Sequence, residues 1–218
     1  MTASEYYEAL KQLARNQRAL FGLVSPKVTL TDLRKVYKHY GISCDLWPMS
    51  GLSGANLRSV RGAYFALEHG PCVLVSRQLP PAQRVYTMAH ELKHHLTDSD
   101  QTIAFCHEAN LPAQIEIGAE VFAAEFIYPE DDFSHDLKKE GIAYGTCTAE
   151  DLVHLKHRTD TTLSYTSLAK RAEFLGFALP NTLPKSGWMK LEEKLYGEPA
   201  YKRINRYRQF NALRGRAD

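Results

Sequence analysis

Residues 81–97, PAQRVYTMAHELKHHLT, constrain this chain more than any other stretch, because they make sense only as a helix with two working faces. At about 100° per residue, Val85, Met88, Ala89, Leu92 and Leu96 fall within about 60° of one direction, a stripe for burial. His90 and His94 then lie at about 140° and 180°, and Glu91 at about 240°. The histidines are neighbours one turn apart, a spacing that lets two imidazoles reach one zinc ion at about 2 Å. Glu91 is rotated off them, where it can touch an activated water without ligating the metal. A polar surface helix shows the same spacing by chance, so a metal reading needs a third ligand.

Three acids compete for that place. Asp100 stands where the longer HExxHxxGxxH pattern puts its last ligand, but that turn needs a glycine and Thr97 occupies the position. Glu108, in FCHEAN, falls on a predicted loop. Glu116 lies in IEIGAEVFAAEFIYP, where Glu116, Glu120, Ala123 and Ala124 share one helical stripe beside the apolar face of Ile115, Ala119, Phe122 and Phe126. On the same wheel Glu125 points away. Two carboxylates on a near-core stripe need partners, because a buried charge is otherwise costly. A second helix packed against the first supplies them, with Glu116 as third ligand and Glu120 bonded to the far nitrogen of a ligand histidine.

The rest of the chain reads as helices around a small sheet. An amphipathic helix follows Ser4, read as its N-cap, and a second opens at Thr31-Asp32. The runs ISCDLW, GAYFAL and CVLVS are predicted strands, separated by turn formers and a Gly/Ser-rich loop. One of the segments 62–67 and 72–76 is expected to run along the cleft as an open edge able to take an extended peptide. Further helices are expected at 115–126, 130–139, 148–156 and 163–175. The expected fold is therefore α+β, with about three strands in a mixed sheet. Residues 1–180 read as one domain and 181–218 as a basic appendage.

The stretches AHELKHHL (89–96) and EIGAEVFAAEFIYP (116–129) together resemble the ImmA/IrrE-type metallo-endopeptidases, zincins with an HExxH helix followed by an E-x-x-x-N-x-F-A-A-x-L-L-M-P segment. The resemblance covers residues 25–175. It implies His90, His94 and Glu116 as zinc ligands and Glu91 as general base. It also implies a helix-turn-helix repressor or an antitoxin as the protein cleaved. The sequence departs from that pattern in three places. Lys93 stands where a glycine is frequent before the second histidine, Glu120 replaces Asn or Asp, and FIYP replaces LLMP. Glu120 is longer than Asn and can itself reach a metal, so the assignment between Glu116 and Glu120 stays open.

Other residues fit the cleft less well. His95 shares a face with Glu91 and can bond it or line the cleft. Tyr86, one turn before His90, can stabilise an oxyanion, as can Tyr128. His107 is a weaker candidate, and His154 and His157 read as exposed. The 163–175 helix reads as a cap on the core rather than a DNA reader. A net charge of +2 and 24% charged residues point neither to a nucleic-acid binder nor to a membrane-surface protein. The tail from 185 onward, where Lys202, Arg203, Arg206 and Arg208 alternate with Tyr201 and Tyr207, keeps nucleic acid open as a lesser partner. The start carries no secretion signal, no stretch is long enough for a membrane span, and four scattered cysteines suit a reducing compartment, so the cytoplasm is expected. The expected activity is zinc-dependent endopeptidase. The rival is a regulatory module that grips a repressor, antitoxin or DNA without cutting.

Overall fold

The computed structural model describes residues 2–47, 61–99, 103–105, 113–199 and 202. The Gly/Ser-rich loop, Asp100, His107, Glu108 and the basic tail beyond 202 lie outside the described residues. Two helices open the chain, α1 (Ala3–Leu20) and α2 (Leu30–His39), followed by β1 (Ser43–Trp47), β2 (Gly62–Leu67) and β3 (Gly70–Ser76). Then come α3 (Pro81–Thr97), the short β4 (Ile103–Phe105), α4 (Ala113–Ile127), α5 (Glu130–Lys139), α6 (Ala149–Thr159), α7 (Tyr165–Phe174) and α8 (Trp188–Tyr196).

Local chemistry sets the helix starts. Thr2, Thr29 and Thr148 cap α1, α2 and α6 by accepting from the backbone three residues on, while Glu5, Asp32 and Asp151 return the bond. These reciprocal pairs place the first two caps two residues earlier than Ser4 and Thr31, because a threonine three residues ahead of an acid satisfies two backbone donors at once. Pro81 opens α3, its ring already holding the helical φ and its missing N–H costing nothing there.

The sheet is mixed and runs β1-β3-β2-β4, with β1 parallel to β3 and β2 antiparallel to both neighbours. It is α+β as expected, with a fourth strand too short to show in the sequence. That strand pairs with Ala63, Tyr64 and Phe65, so β2 is covered over this stretch and, among the described residues, the sheet edges are β1 and β4. The expectation of an open edge on 62–67 or 72–76 is corrected accordingly.

From the sheet outward the layers are α3, α4 and α1, each packed on the next, with α2 beside α3. Tyr37 joins α2 to α3 through a 2.8 Å bond from its hydroxyl to the carbonyl of Met88. Gly118 lets α1 close on α4, since a Cβ there would stand 2.8 Å from both Leu10 and the Tyr6 hydroxyl. The guanidinium of Arg18 donates to the carbonyls of Phe126 and Ile127 at 2.7 and 3.0 Å, satisfying the C-terminal end of α4 from outside it.

Glu125 does turn away from the histidines, yet it is fully buried rather than solvated. Its carboxylate meets Arg15 at 2.8 Å, Arg171 of α7 at 3.5 Å and the backbone N–H of Glu130 at 3.0 Å. Helix α7 thus caps the core, as its sequence indicates. Beyond residue 180, the described residues form α8, which packs against α6. Trp188 of α8 stacks on Tyr165, and Tyr196 stacks on His157 at 3.6 Å and meets His154 Nδ1 at 2.6 Å. Those aromatic contacts come from residues far apart in sequence.

Removing one member of a buried ion cluster strands the others, so Glu125→Ala should lower stability by about 3–5 kcal/mol in urea unfolding. A loss below about 1 kcal/mol would show that the two arginines do not depend on it.

Candidate metal centre

The site lies where α3 and α4 face each other. Helix α3 turns its apolar stripe to the sheet, and the opposite stripe is not left to solvent, because α4 covers it. His90 is 6% exposed and His94 fully buried. Neither Nε2 atom makes a hydrogen bond among the described residues. A buried nitrogen lone pair without a donor is costly, and a cation is one way to satisfy it.

Glu116 comes from the first turn of α4. Its Oε2 lies 3.5 Å from His90 Nε2, and its Oε1 lies 3.5 Å from His94 Nε2. These contacts are too long for hydrogen bonds. Two atoms bound tetrahedrally to one zinc at about 2.0 Å stand about 3.3 Å apart, which is close to what the protein presents. One ligand atom from each of His90, His94 and Glu116 lies within 4.8 Å of the others. The donor set of two imidazoles and one carboxylate suits zinc, and it forms the one candidate cluster among the described residues.

The surroundings are electronegative. Burial depresses the His90 pKa, but Glu116, Glu91 and Glu120 outweigh it and the net shift is upward. Glu91 is fully buried beside β2. A Cβ on Gly62 would stand 2.5 Å from Glu91 Oε1 and 2.4 Å from Thr87 Cγ2. Only glycine gives the carboxylate that berth against the strand, a constraint invisible in the sequence.

Asp98, just beyond α3, takes the role expected of Glu120 toward His94. Its Oδ2 lies 2.8 Å from His94 Nδ1 and accepts from Lys93 Nζ at 2.7 Å. Burial tends to raise the Asp98 pKa, but the bonds to His94 and Lys93 prevail and lower it. An acid four residues after a histidine on one helix is a readable signal for this contact. Glu120 is exposed, and its backbone carbonyl accepts from the Tyr86 hydroxyl at 3.3 Å. That bond ties α3 to α4 one turn from the ligands. Burial raises the Tyr86 pKa, which keeps the hydroxyl a donor.

Two other candidates fall elsewhere. His95 bonds Tyr64 through Nδ1 at 3.1 Å and packs against Tyr40, so its ring is taken up by the α2–sheet contact rather than by Glu91. Burial lowers its pKa. Tyr128 is fully buried at the α4–α5 junction, donating to Asp136 and packing on Phe133. A helical wheel gives direction but not which neighbour arrives, and both misplacements have that origin.

The family model described as IrrE N-terminal-like domain, Peptidase_M78, matches residues 55–173. No curated protein matches the sequence. A Mycobacterium tuberculosis transcriptional regulator of known structure superposes with a TM-score of 0.50 at 16% identity, over 84% of this chain and 53% of that one. This chain therefore spans about half the length of that protein, and the likeness concerns the fold alone.

Alanine in place of glycine ordinarily stabilises a strand, by reducing the freedom of the unfolded chain. Gly62→Ala should do the opposite, costing about 1–3 kcal/mol in urea unfolding as Glu91 and Thr87 are pushed aside. Equal or higher stability would show that the Glu91 berth is not tight.

Proposed function

The chain belongs to the Peptidase_M78 family of IrrE N-terminal-like domains, and from that membership we propose that it is a zinc-dependent endopeptidase. The observation that carries the reading is the pair of buried Nε2 atoms of His90 and His94, each facing one oxygen of Glu116 at 3.5 Å. His90, His94 and Glu116 would hold the metal. Zinc, when bound in such a site, polarises a carbonyl and brings the pKa of a water close to neutral.

The protein groups do the rest. Glu91, held against β2 by the space at Gly62, takes the proton of the attacking water and delivers it to the leaving amine. Its burial keeps competing water away from that transfer. Asp98 fixes the tautomer of His94 by accepting from Nδ1, which turns the Nε2 lone pair toward Glu116. The Tyr86 hydroxyl, on the turn before His90, donates to the Glu120 carbonyl and holds α3 to α4 beside these residues.

The substrate proposed is a folded regulatory protein, a helix-turn-helix repressor or an antitoxin, cleaved in an exposed linker in the cytoplasm. Among the described residues no helix is long and apolar enough to cross a membrane. The second reading, a regulatory module that binds without cutting, draws on the depth of the site, since the ligand His94 and the base Glu91 are both closed to solvent.

Elemental analysis of gently purified protein should give about one zinc per chain, and His94→Ala or Glu116→Ala should empty the site. Full occupancy in Glu116→Ala would remove Glu116 as the third ligand.

Glu91→Gln should keep zinc but abolish cleavage of the product encoded beside this gene, because glutamine cannot take up the proton. Binding of that product by both proteins, with cleavage by neither, would favour the module without proteolysis.

A further inference from the structure

Lys93 has no exposed surface, although it stands between the two histidines on the helix that carries them. Its Nζ donates to Asp98 Oδ2 at 2.7 Å and to the carbonyl of Ile115 at 3.2 Å, and it lies 5.9 Å from the Tyr6 ring centroid. The first partner is the carboxylate that meets His94 Nδ1 at 2.8 Å. The second is the main chain of the residue immediately before Glu116. One ammonium group therefore touches the support of one ligand and the backbone that carries another, on two different helices.

A purely stabilising role explains this poorly. A buried ion pair gains little over an aliphatic side chain of similar volume, because desolvation consumes most of the attraction. What an aliphatic chain cannot do is hold Asp98 and the start of α4 at fixed distances from one point. Thr97 adds a further bond to Asp98 Oδ1 at 3.2 Å, so the carboxylate is held on both oxygens.

We propose that Lys93 and Asp98 are positioning residues of the metal centre, a clamp that orients His94 and sets the distance of Glu116 across the α3–α4 contact. Asp98 keeps the Nδ1 proton of His94 engaged, so that Nε2 presents its lone pair. Lys93 fixes Asp98 and, through Ile115, the first turn of α4. The inference rests on the zinc reading given above and concerns metal affinity rather than chemistry. Its consequence is that Lys93 cannot be exchanged for a small residue without loosening the site.

The test measures zinc affinity of the full chain by competition with a chromophoric chelator, together with the visible spectrum of the cobalt-loaded protein. The set comprises wild type, Lys93→Met, Asp98→Asn, the double variant, and Leu152→Ala as a destabilised control in the core of α6. Asp98→Asn should weaken zinc binding by about 10–100-fold and Lys93→Met by about tenfold, both with altered cobalt bands, while Leu152→Ala binds as wild type does. Lys93→Met should cost less affinity in the Asp98→Asn background than alone, because it acts in part through Asp98. Asp98→Asn keeps the size of the native side chain and decides the matter even if Lys93→Met folds in low yield. If wild type binds one zinc while Asp98→Asn stays within about threefold of it with the same cobalt spectrum, the clamp is overturned. A wild-type protein that binds no zinc would overturn the enzymatic reading and the clamp with it.

Discussion

Helix α4 is mostly apolar and packed between α3 and α1, yet it carries Glu125 out of reach of water and Glu116 to a place only partly open to it. A buried charge without compensation costs several kcal/mol, so each acid fixes what must stand opposite it. Glu125 faces α1 and α7 and is met by Arg15 and Arg171. Glu116 faces α3, where the groups that meet it are two imidazoles. The arginines complete one side within the protein. The other side sets two imidazole nitrogens 3.5 Å from a carboxylate, a donor set that suits a cation. One helix thus carries a structural ion cluster on one face and a candidate metal-binding cluster on the other.

The remaining architecture can be understood as support for that contact. The sheet gives α3 a flat surface for Val85, Met88 and Leu92, which turns His90 and His94 outward. Gly62 brings the strand close enough for Glu91 to be held at a defined depth. Gly118 allows α1 to press α4 onto α3 from behind. Small residues recur at these contacts because the distance between elements decides whether the ligand atoms lie a bond or a gap apart.

The sequence pointed to the residues that converge between α3 and α4 and missed much of what surrounds them. His90, Glu91 and His94 follow from helical geometry, and Glu116 follows from the oddity of an acid on an apolar stripe. Both depend on periods within one element. Asp98 could have been read from its place four residues after His94, whereas the Lys93 bond to Ile115 and the Gly62 berth depend on what a second element brings near. Tyr128 and His95 erred for the same reason, since an aromatic beside a motif points toward the cleft or into the core with equal local justification. For Glu125 the wheel gives the direction but not the surroundings, because the arginines that receive it come from α1 and α7. Helix α8 escaped notice since its docking relies on Trp188 and Tyr196 finding Tyr165 and His157. The short β4 strand is below the length at which alternation is visible.

Helix α1 lies outside the matched family segment, and it supplies Arg15 to Glu125, Arg18 to the end of α4 and Lys11 to Glu130. The contact between Arg15 and Glu125 spans 110 residues of chain. Contacts of such long range are slow to form, since the intervening loop must be closed before they gain anything. On a ribosome α1 emerges well before its docking surface exists, and it must wait as an amphipathic helix with an uncovered apolar face. The α3–α4 contact completes only after α4 has been made, and the outer layer then closes over it. Helix α1 is thus made before α4 and docks only after it, and the α3–α4 contact stays uncovered on that side until it does.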